Sequence, residues 1–246
     1  MSSILSNRVQ KVKPSATMAV SDKAKELKSQ GIQIVSMGSG EPDFDTPANI
    51  QKAAVKAIGA GETRYTPADG TPELKKAICE KFKRENGLDY SATEVMVSCG
   101  GKQVFYNLCQ AILNEGDEVI IPTPYWVSYP DMAILADATP VFIEAGLDQD
   151  FKITPDQLEA SITPKSKLFV LNSPSNPTGS VYSRSEIVAL GEVLERHPHV
   201  LTISDDIYEH IRWGEDDFVN IAMACPKLKE RVVILNGVSK AYAMTG

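Results

Sequence analysis

Cysteine, histidine and long apolar runs are scarce in this sequence. The four cysteines show no Cys-x-x-Cys spacing and lie in apolar or helical stretches, which favours free thiols in a reducing compartment over zinc or disulfides. The three histidines lack neighbouring ligand residues, so we expect no metal site. No apolar run approaches the ~20 residues of a membrane span, and the N-terminus lacks the apolar core of a signal peptide. We therefore expect a cytoplasmic protein without a membrane partner.

Positive charge is also in the minority. The sequence has 25 Lys and Arg residues against 32 Asp and Glu residues, a net charge of −7, and its basic residues never form a run. This balance argues against a nucleic-acid partner and against anionic membranes. With 246 residues, of which 43% are hydrophobic, the chain can bury a substantial core.

Short apolar runs alternate with helical patterns along the chain. The predicted strands span residues 32–37, 94–98, 118–121, 140–143, 168–172, 201–204 and 232–235. The predicted helices span about 21–30, 47–58, 72–86, 102–113, 127–136, 155–162 and 184–195, the last with a Ser183–Glu186 capping box. This alternation predicts an α/β fold whose central sheet is mostly parallel and is covered by helices on both faces.

Distinctive polar residues come directly after the predicted strands. Because the carboxyl ends of parallel strands meet at one edge of a sheet, we expect these residues to form a single site. They are Gly100 to Lys102, Tyr125 and Trp126, Asn172 to Gly179, Asp205 to Tyr208, and Lys240.

The loop Gly100-Gly101-Lys102 joins a predicted strand to a helix. Its glycines allow close approach of a ligand, and the free amides of a helix start favour an anion such as phosphate. The loop does not match the dinucleotide or nucleotide-triphosphate motifs. Trp126 is consistent either with core packing or with stacking on a planar ligand.

Three further side chains could each contact a different group of a small ligand. A carboxylate at a buried strand end, such as Asp205, needs a cationic partner, which a heterocyclic N–H⁺ could supply, although Asp205 could also cap a turn. Tyr208, three residues later, could then reach an adjacent phenolic oxygen of the same ligand. Lys240 follows an apolar strand and stands among small residues, where it is either a surface lysine or a nucleophile for a carbonyl compound.

Six motifs taken together resemble the class I pyridoxal-phosphate-dependent aminotransferases. They are SGEPDFDTP (39–47), GGKQ (100–103), PYW (124–126), NSPSNPTG (172–179), SDDIYE (204–209) and GVSKAYAMTG (237–246). The resemblance runs through essentially the whole chain, and it is greatest to bacterial aspartate aminotransferases of the subtype with a Pro-Ser-Ala-Thr arm. It implies fold type I of the pyridoxal-phosphate-dependent transferases.

The resemblance implies three catalytic residues and a set of cofactor contacts. Lys240 resembles the lysine that holds pyridoxal 5′-phosphate as a Schiff base and then carries a proton as general base and acid. Asp205 resembles the residue that keeps the pyridine nitrogen protonated, and Tyr208 resembles a ligand of the phenolic oxygen. The other implied cofactor contacts are Asn176 to that oxygen, Trp126 to the ring, and Gly101 and Lys102 to the phosphate.

The resemblance also implies the substrates. The expected reaction moves an amino group from L-aspartate to 2-oxoglutarate and gives oxaloacetate and L-glutamate. The expected substrate contacts are Gly40, Trp126 and Asn176 for the α-carboxylate, and Ser15, Thr17 and Lys102 for the distal carboxylate. Related transaminases that act on prephenate or on another amino acid share much of this pattern, and a pyridoxal-phosphate lyase is a further alternative.

The implied assembly is a homodimer with shared active sites, because Tyr65 resembles the tyrosine that reaches the phosphate of the neighbouring subunit. We expect residues 1–45 to form an N-terminal arm and a segment associated with the small domain, and residues 46–246 to form the large cofactor-binding domain. The family's pattern continues beyond Gly246 with the rest of the large domain and a C-terminal small domain. The sequence therefore reads as truncated, and a catalytically silent cofactor- or partner-binding module is the alternative to an active enzyme.

Overall fold

Five strands form one sheet in the computed structural model, which describes residues 4–14, 16–35, 37–38, 40–214 and 217–246. The strands are β1 (Glu118–Thr123), β2 (Thr139–Glu144), β3 (Ser166–Asn172), β4 (Leu201–Asp205) and β5 (Val232–Leu235). Within the described residues their order is β2-β1-β3-β4-β5, and every neighbouring pair is parallel. All five strands therefore end at the same edge of the sheet.

Both faces of the sheet are buried, because successive side chains of a strand point to opposite faces. On β1, Val119 and Ile121 belong to one core, whereas Ile120 belongs to the other. On β3, Leu168 and Phe169 divide in the same way. Each fully buried side chain of this size contributes about 1.5–3 kcal/mol to folding, so the two cores hold the strand ends firmly in place.

Helices cover the two faces. The described α-helices are α1 (Asn7–Lys11), α2 (Ala16–Ser29), α3 (Ala48–Gly59), α4 (Pro72–Lys81), α5 (Gly101–Ile112), α6 (Ser128–Leu135), α7 (Pro155–Ser161), α8 (Arg184–Arg196) and α9 (Ile221–Ala224). Helices α5 and α6 pack on one core, and α7, α8 and α9 pack on the other. None of the helices in the described part of the chain has the length and apolar character needed to cross a membrane.

The expected fold class is confirmed, and five predicted strands agree with the observed ones to within two residues at each end. The predicted strands at 94–98 and 32–37 are wrong as far as the described residues go. Residues 95–98 and 32–35 are not paired with any of the five strands, and Ala92–Glu94 is instead a 3₁₀ turn capped by Ser91. Local sequence can favour an extended backbone, but a strand exists only where a neighbour supplies its hydrogen bonds.

Two predicted helix starts also differ from the structure. Helix α2 begins at Ala16, whereas the sequence suggested a start at Ser21, which lies inside the helix. A helix from 47 to 58 would place Thr46 at the cap position, but α3 begins at Ala48 with Pro47 as its N-cap, and the Thr46 hydroxyl donates to the carbonyl of Ala243 at 2.6 Å. In both cases a residue type that is common at helix caps is used for something else, because capping preference is only a local signal.

Candidate active site

A cavity of about 170 Å³ opens at the edge where the strands end. It is lined by residues from the loop after β1, from the ends of β3 and β4, and from the segments that follow β4 and β5. The candidate residues that line it are Gly101, Lys102, Trp126, Asn176, Asp205, Tyr208 and Lys240. Residues more than 130 positions apart in sequence are thus brought into one site by the parallel topology.

Asp205 is the last residue of β4, and only 4% of it is exposed. Its carboxylate accepts a hydrogen bond from the hydroxyl of Tyr129 and a second, of 3.2 Å, from the amide of Ile207. Burial raises the pKa of Asp205 to about 6, although both hydrogen bonds act in the opposite direction. Among the described residues no Lys, Arg or His forms an ion pair with Asp205. A cationic group of a ligand in the cavity would therefore balance the negative charge that burial disfavours.

Tyr129 is a site residue that the sequence analysis did not identify. It lies on α6, is 1% exposed, and its ring meets Trp126 edge-on with 5.2 Å between centroids. Burial and the neighbouring Asp205 raise the pKa of Tyr129 well above its ordinary value, so the hydroxyl stays protonated and donates. The only sequence signal was its position three residues after Trp126, which places both rings on one side of a helix start.

Asn172 positions the loop that carries Asn176. The Asn172 side chain donates to the carbonyl of Asp205 at 3.0 Å and accepts from the amide of Asn176 at 2.7 Å. The Asn176 side chain in turn hydrogen-bonds Tyr208. Burial and the charge of Asp205 raise the pKa of Tyr208, while the contact with Asn176 lowers it. An amide and a phenol are therefore presented side by side to a ligand oxygen.

Lys240 follows β5 after a short turn and is half-buried. Its ammonium donates to the carbonyl of Gly40 at 2.7 Å, so the structure places Gly40 next to the amine. Two further contacts hold the same segments together, from Thr46 to the carbonyl of Ala243 and from the Thr245 hydroxyl to Glu41 at 2.7 Å. The loop that begins at Gly40 therefore packs against the turn that carries Lys240.

The start of α5 forms another wall of the cavity. Gly100 has φ of +84°, a conformation that favours glycine, and a Cβ on Gly101 would lie 3.2 Å from Leu235. The first amides of a helix have no partner within it, so they can bind an anion. The Lys102 ammonium lies 5.5 Å from the ring centroid of Trp126 and adds positive charge at this wall.

Three further candidate residues have contacts that the described part of the chain does not show. Tyr65 is fully exposed and does not line the cavity of its own chain. Ser15 lies outside the described residues, and so does the side chain of Thr17. Their assigned contacts therefore stay predictions.

Asp206 is a second buried carboxyl next to Asp205, but it does not line the cavity. Its oxygens accept hydrogen bonds from the hydroxyl of Ser204 and the side-chain amide of Asn220, both at 2.7 Å. Burial raises the pKa of Asp206 to about 8, and the negative charges of Glu209 and Asp205 add to this shift. Between about pH 4 and pH 8 the carboxyl of Asp206 is therefore neutral in the folded chain, whereas it would be ionised in the unfolded chain.

We expect the Asp206→Asn variant to remove a pH-dependent loss of stability. In the unfolded chain the carboxyl ionises near pH 4, whereas in the folded chain it keeps its proton up to about pH 8. The free energy of unfolding of the wild type therefore falls as the pH rises between these values, because the unfolded state loses the proton first. In urea unfolding, the stability of the variant relative to the wild type should rise by roughly 2–5 kcal/mol between about pH 4 and pH 9. A constant difference would contradict the neutral buried state.

The parallel sheet with helices on both faces is fold type I of the pyridoxal-phosphate-dependent transferases, and the cavity combines a lysine with a buried carboxylate at its strand ends. The family model for class I and II aminotransferases matches residues 32–246, and the chain belongs to this family.

Individual relatives agree with this assignment. An aspartate/prephenate aminotransferase of Nitrosomonas europaea is 59% identical over 98% of this chain and 61% of its own length, and one of Cereibacter sphaeroides is 58% identical over 98% and 60%. Among solved structures, the aspartate aminotransferase of Rhizobium meliloti has a TM-score of 0.96 at 49% identity over 98% of this chain and 60% of its own. The Thermus thermophilus aspartate aminotransferase with maleate has a TM-score of 0.92 at 46% identity, over 98% and 62%. The chain thus spans about 60% of the length of the curated relatives it matches.

Proposed function

We propose that the protein is a pyridoxal-phosphate-dependent aminotransferase. The observation that carries the proposal is that the amine of Lys240 and the buried carboxylate of Asp205 open onto one cavity. Structural ion pairs are common in proteins, but here the two groups do not pair with each other: Lys240 donates to a backbone carbonyl and Asp205 accepts from neutral donors. A ligand that carries both an aldehyde and a cationic ring nitrogen would engage both.

The residues that line the cavity fit pyridoxal phosphate. Asp205 lacks a cationic partner among the described residues, and the ring nitrogen of the cofactor supplies one. Asn176 and Tyr208 offer hydrogen bonds for the phenolic oxygen, and the ring of Trp126 offers a stacking surface. The helix start at Gly101 and the charge of Lys102 suit the phosphate. When bound, this cofactor supplies an electron sink for the carbanion that forms at the substrate α-carbon.

The chain's own groups would act in four ways. Lys240 would bond to the cofactor through its amine and, once released by the substrate amine, carry a proton to and from the substrate α-carbon. Asp205, oriented by Tyr129, would hold the proton on the ring nitrogen. Tyr208 and Asn176 would stabilise negative charge on the phenolic oxygen. Gly40, next to Lys240, would bind the α-carboxylate together with Trp126 and Asn176.

For substrates we propose L-aspartate and 2-oxoglutarate. Ser15, Thr17 and Lys102 would bind the distal carboxylate, for which two hydroxyls and an ammonium are suitable partners. Relatives named aspartate aminotransferases and the Thermus enzyme described with maleate, a dicarboxylate, support this choice. The relatives named aspartate/prephenate aminotransferases support prephenate as a second oxo-acid substrate.

We also propose that the protein works as a homodimer in which Tyr65 contacts the cofactor phosphate of the partner. Tyr65 is fully exposed in its own chain, and α3 buries none of its residues while exposing Val55 and Ile58. Exposed apolar residues on one helix are suited to an interface. Residues 1–45 would serve as arm and small-domain segment, and residues 46–246 as the cofactor-binding domain.

The test separates cofactor uptake from turnover. We expect pyridoxal phosphate to give a visible absorption band, and borohydride reduction followed by peptide mass spectrometry should place the adduct on Lys240. Initial rates with aspartate and 2-oxoglutarate, then with glutamate and prephenate, would establish the substrates. Uptake without any turnover would indicate a cofactor-binding module instead, and absence of uptake would contradict the proposal.

A further inference from the structure

A buried polar cluster centred on Glu209 lies next to the cavity without lining it. Glu209 follows Tyr208 directly, and only 4% of it is exposed. Its carboxylate forms an ion pair with Lys81 and accepts hydrogen bonds from the Asn86 side chain at 3.2 Å and the Asn236 side chain at 2.9 Å. The cluster therefore contacts the segments on both sides of the cavity, one through Tyr208 and the other through Asn236.

Asn236 transmits this contact to the segment that carries Lys240. It is the first residue after β5, and its side-chain oxygen accepts a hydrogen bond of 2.7 Å from the amide of Gly237. Its side chain thus connects the Glu209 carboxylate to the backbone that leads to Lys240 four residues later. The backbone strengthens the same junction, since the amide of Asp206 donates to the carbonyl of Leu235 at 2.8 Å.

The charges in the cluster show why Glu209 can hold a fixed position. Glu85, Glu209 and His210 place ligand-type atoms within 4.8 Å of one another, an arrangement that could hold a metal ion. The Lys81 ammonium already pairs with both carboxylates, at 3.7 Å from Glu85, and it also donates to the Asn86 side chain at 2.9 Å. His210 lies at the exposed side, 3.1 Å from Glu85 and 3.6 Å from Glu209. The buried charge is thus neutralised from within the chain, and its oxygens are directed by several donors at once.

We infer that Glu209 is a positioning residue that acts through Asn236. By holding Asn236, it fixes the turn of Lys240 relative to Tyr208, so that the amine and the phenol face the same ligand. A buried ion pair is by itself weak evidence for a stabilising role, because apolar replacements often do as well. Because Glu209 is connected to the end of β5 through Asn236, its role is instead to fix the geometry of the site. The catalytic consequence rests on the proposed function, whereas the structural consequence does not.

The first test follows the backbone without any cofactor. Amide hydrogen exchange in residues 237–243 should become roughly tenfold or more faster in Glu209→Gln and in Asn236→Ala, because each loses a hydrogen bond to a charged or directing group. Exchange in β4 should stay unchanged. The double variant should match Asn236→Ala alone, since Glu209 acts on this segment through Asn236. Glu195→Gln, which removes an exposed ion pair with Lys227, is the matched control and should change neither segment.

The second test uses the protein loaded with pyridoxal phosphate. Glu209→Gln should lower kcat by roughly tenfold or more with little change in KM for the amino acid, since misplacing Lys240 affects proton transfer more than binding. Additive effects of the two substitutions on exchange, or faster exchange throughout the sheet, would show that Glu209 only supports the fold. Asn236→Ala removes no charge, so the hydrogen-exchange test can still be made with this variant if Glu209→Gln does not fold. If the wild type takes up no cofactor, the proposed function fails, while the exchange result still decides the positioning role.

Discussion

Replacing Lys240 with alanine should abolish covalent uptake of pyridoxal phosphate and lower transamination by at least ~10²-fold. The amine faces the cavity and is held by the carbonyl of Gly40 at 2.7 Å, so it is the group placed to attack an aldehyde there. The same amine would carry the proton, and general acid–base catalysis alone contributes ~10²–10⁴-fold. The variant should show neither the visible band nor the mass increase after borohydride reduction.

Two control variants make this result specific. Lys240→Arg keeps a cation that can donate to Gly40 but has no nucleophilic amine, so it should lose covalent uptake as alanine does. Lys102 is the other lysine that lines the cavity, and Lys102→Ala should weaken binding while the adduct stays on Lys240. Normal turnover in Lys240→Ala, or an adduct mapped to Lys102 in the wild type, would overturn the assignment.

The fold was predictable wherever local sequence and tertiary contacts agree. The apolar runs that became β1, β2 and β3 are each followed by a predicted helix, and both kinds of signal favour the same parallel layout. Residues 94–98 have an equally strand-like composition, but none of the five strands of the described sheet pairs with them. Whether such a run becomes a strand depends on its neighbours, which a single sequence does not display.

The place where polar residues meet was predictable from their positions at or after the strand ends. Asp205 and Lys240 were expected at this edge on that ground. Their proposed roles come from the resemblance to the aminotransferases, because position alone also allows a turn cap and a surface lysine. Tyr129 and Glu209 were not identified from the sequence, and Asn172 was expected at this edge without a role. Their importance lies in contacts with residues far away in sequence, such as the 76 positions between Tyr129 and Asp205. A buried tyrosine on a helix has the sequence signature of an ordinary core residue.

Asp205→Asn should change stability and function in opposite directions. Burial raises the pKa of Asp205 to about 6, so the cofactor-free wild type loses stability as the pH rises from about 4, where the unfolded chain ionises, to about 6. Asparagine avoids this loss of about 3 kcal/mol at the expense of one hydrogen bond worth about 1 kcal/mol. The cofactor-free variant should therefore be at least as stable as the wild type at pH 7 in urea unfolding.

Turnover of the same variant should fall by roughly a hundredfold or more, because removing one partner of a buried ion pair costs about 3–5 kcal/mol. The negative charge of Asp205 destabilises the cofactor-free chain because it is buried. The same charge is needed to pair with the protonated ring nitrogen of the cofactor. Asp206→Asn is the matched control, since Asp206 is equally buried and adjacent but does not line the cavity.

The pH dependence of cofactor binding distinguishes the two carboxyls further. In the wild type, affinity for pyridoxal phosphate should decrease as the pH falls through about 6, because Asp205 then takes up a proton and no longer balances the cationic ring. Asp205→Asn should lack this decrease in affinity. Comparing the variant with the wild type therefore separates the titration of Asp205 from the titration of the cofactor itself. Asp206→Asn should retain it together with most of the turnover. Equal losses in the two variants would mean that burial, and not position in the cavity, gives Asp205 its effect.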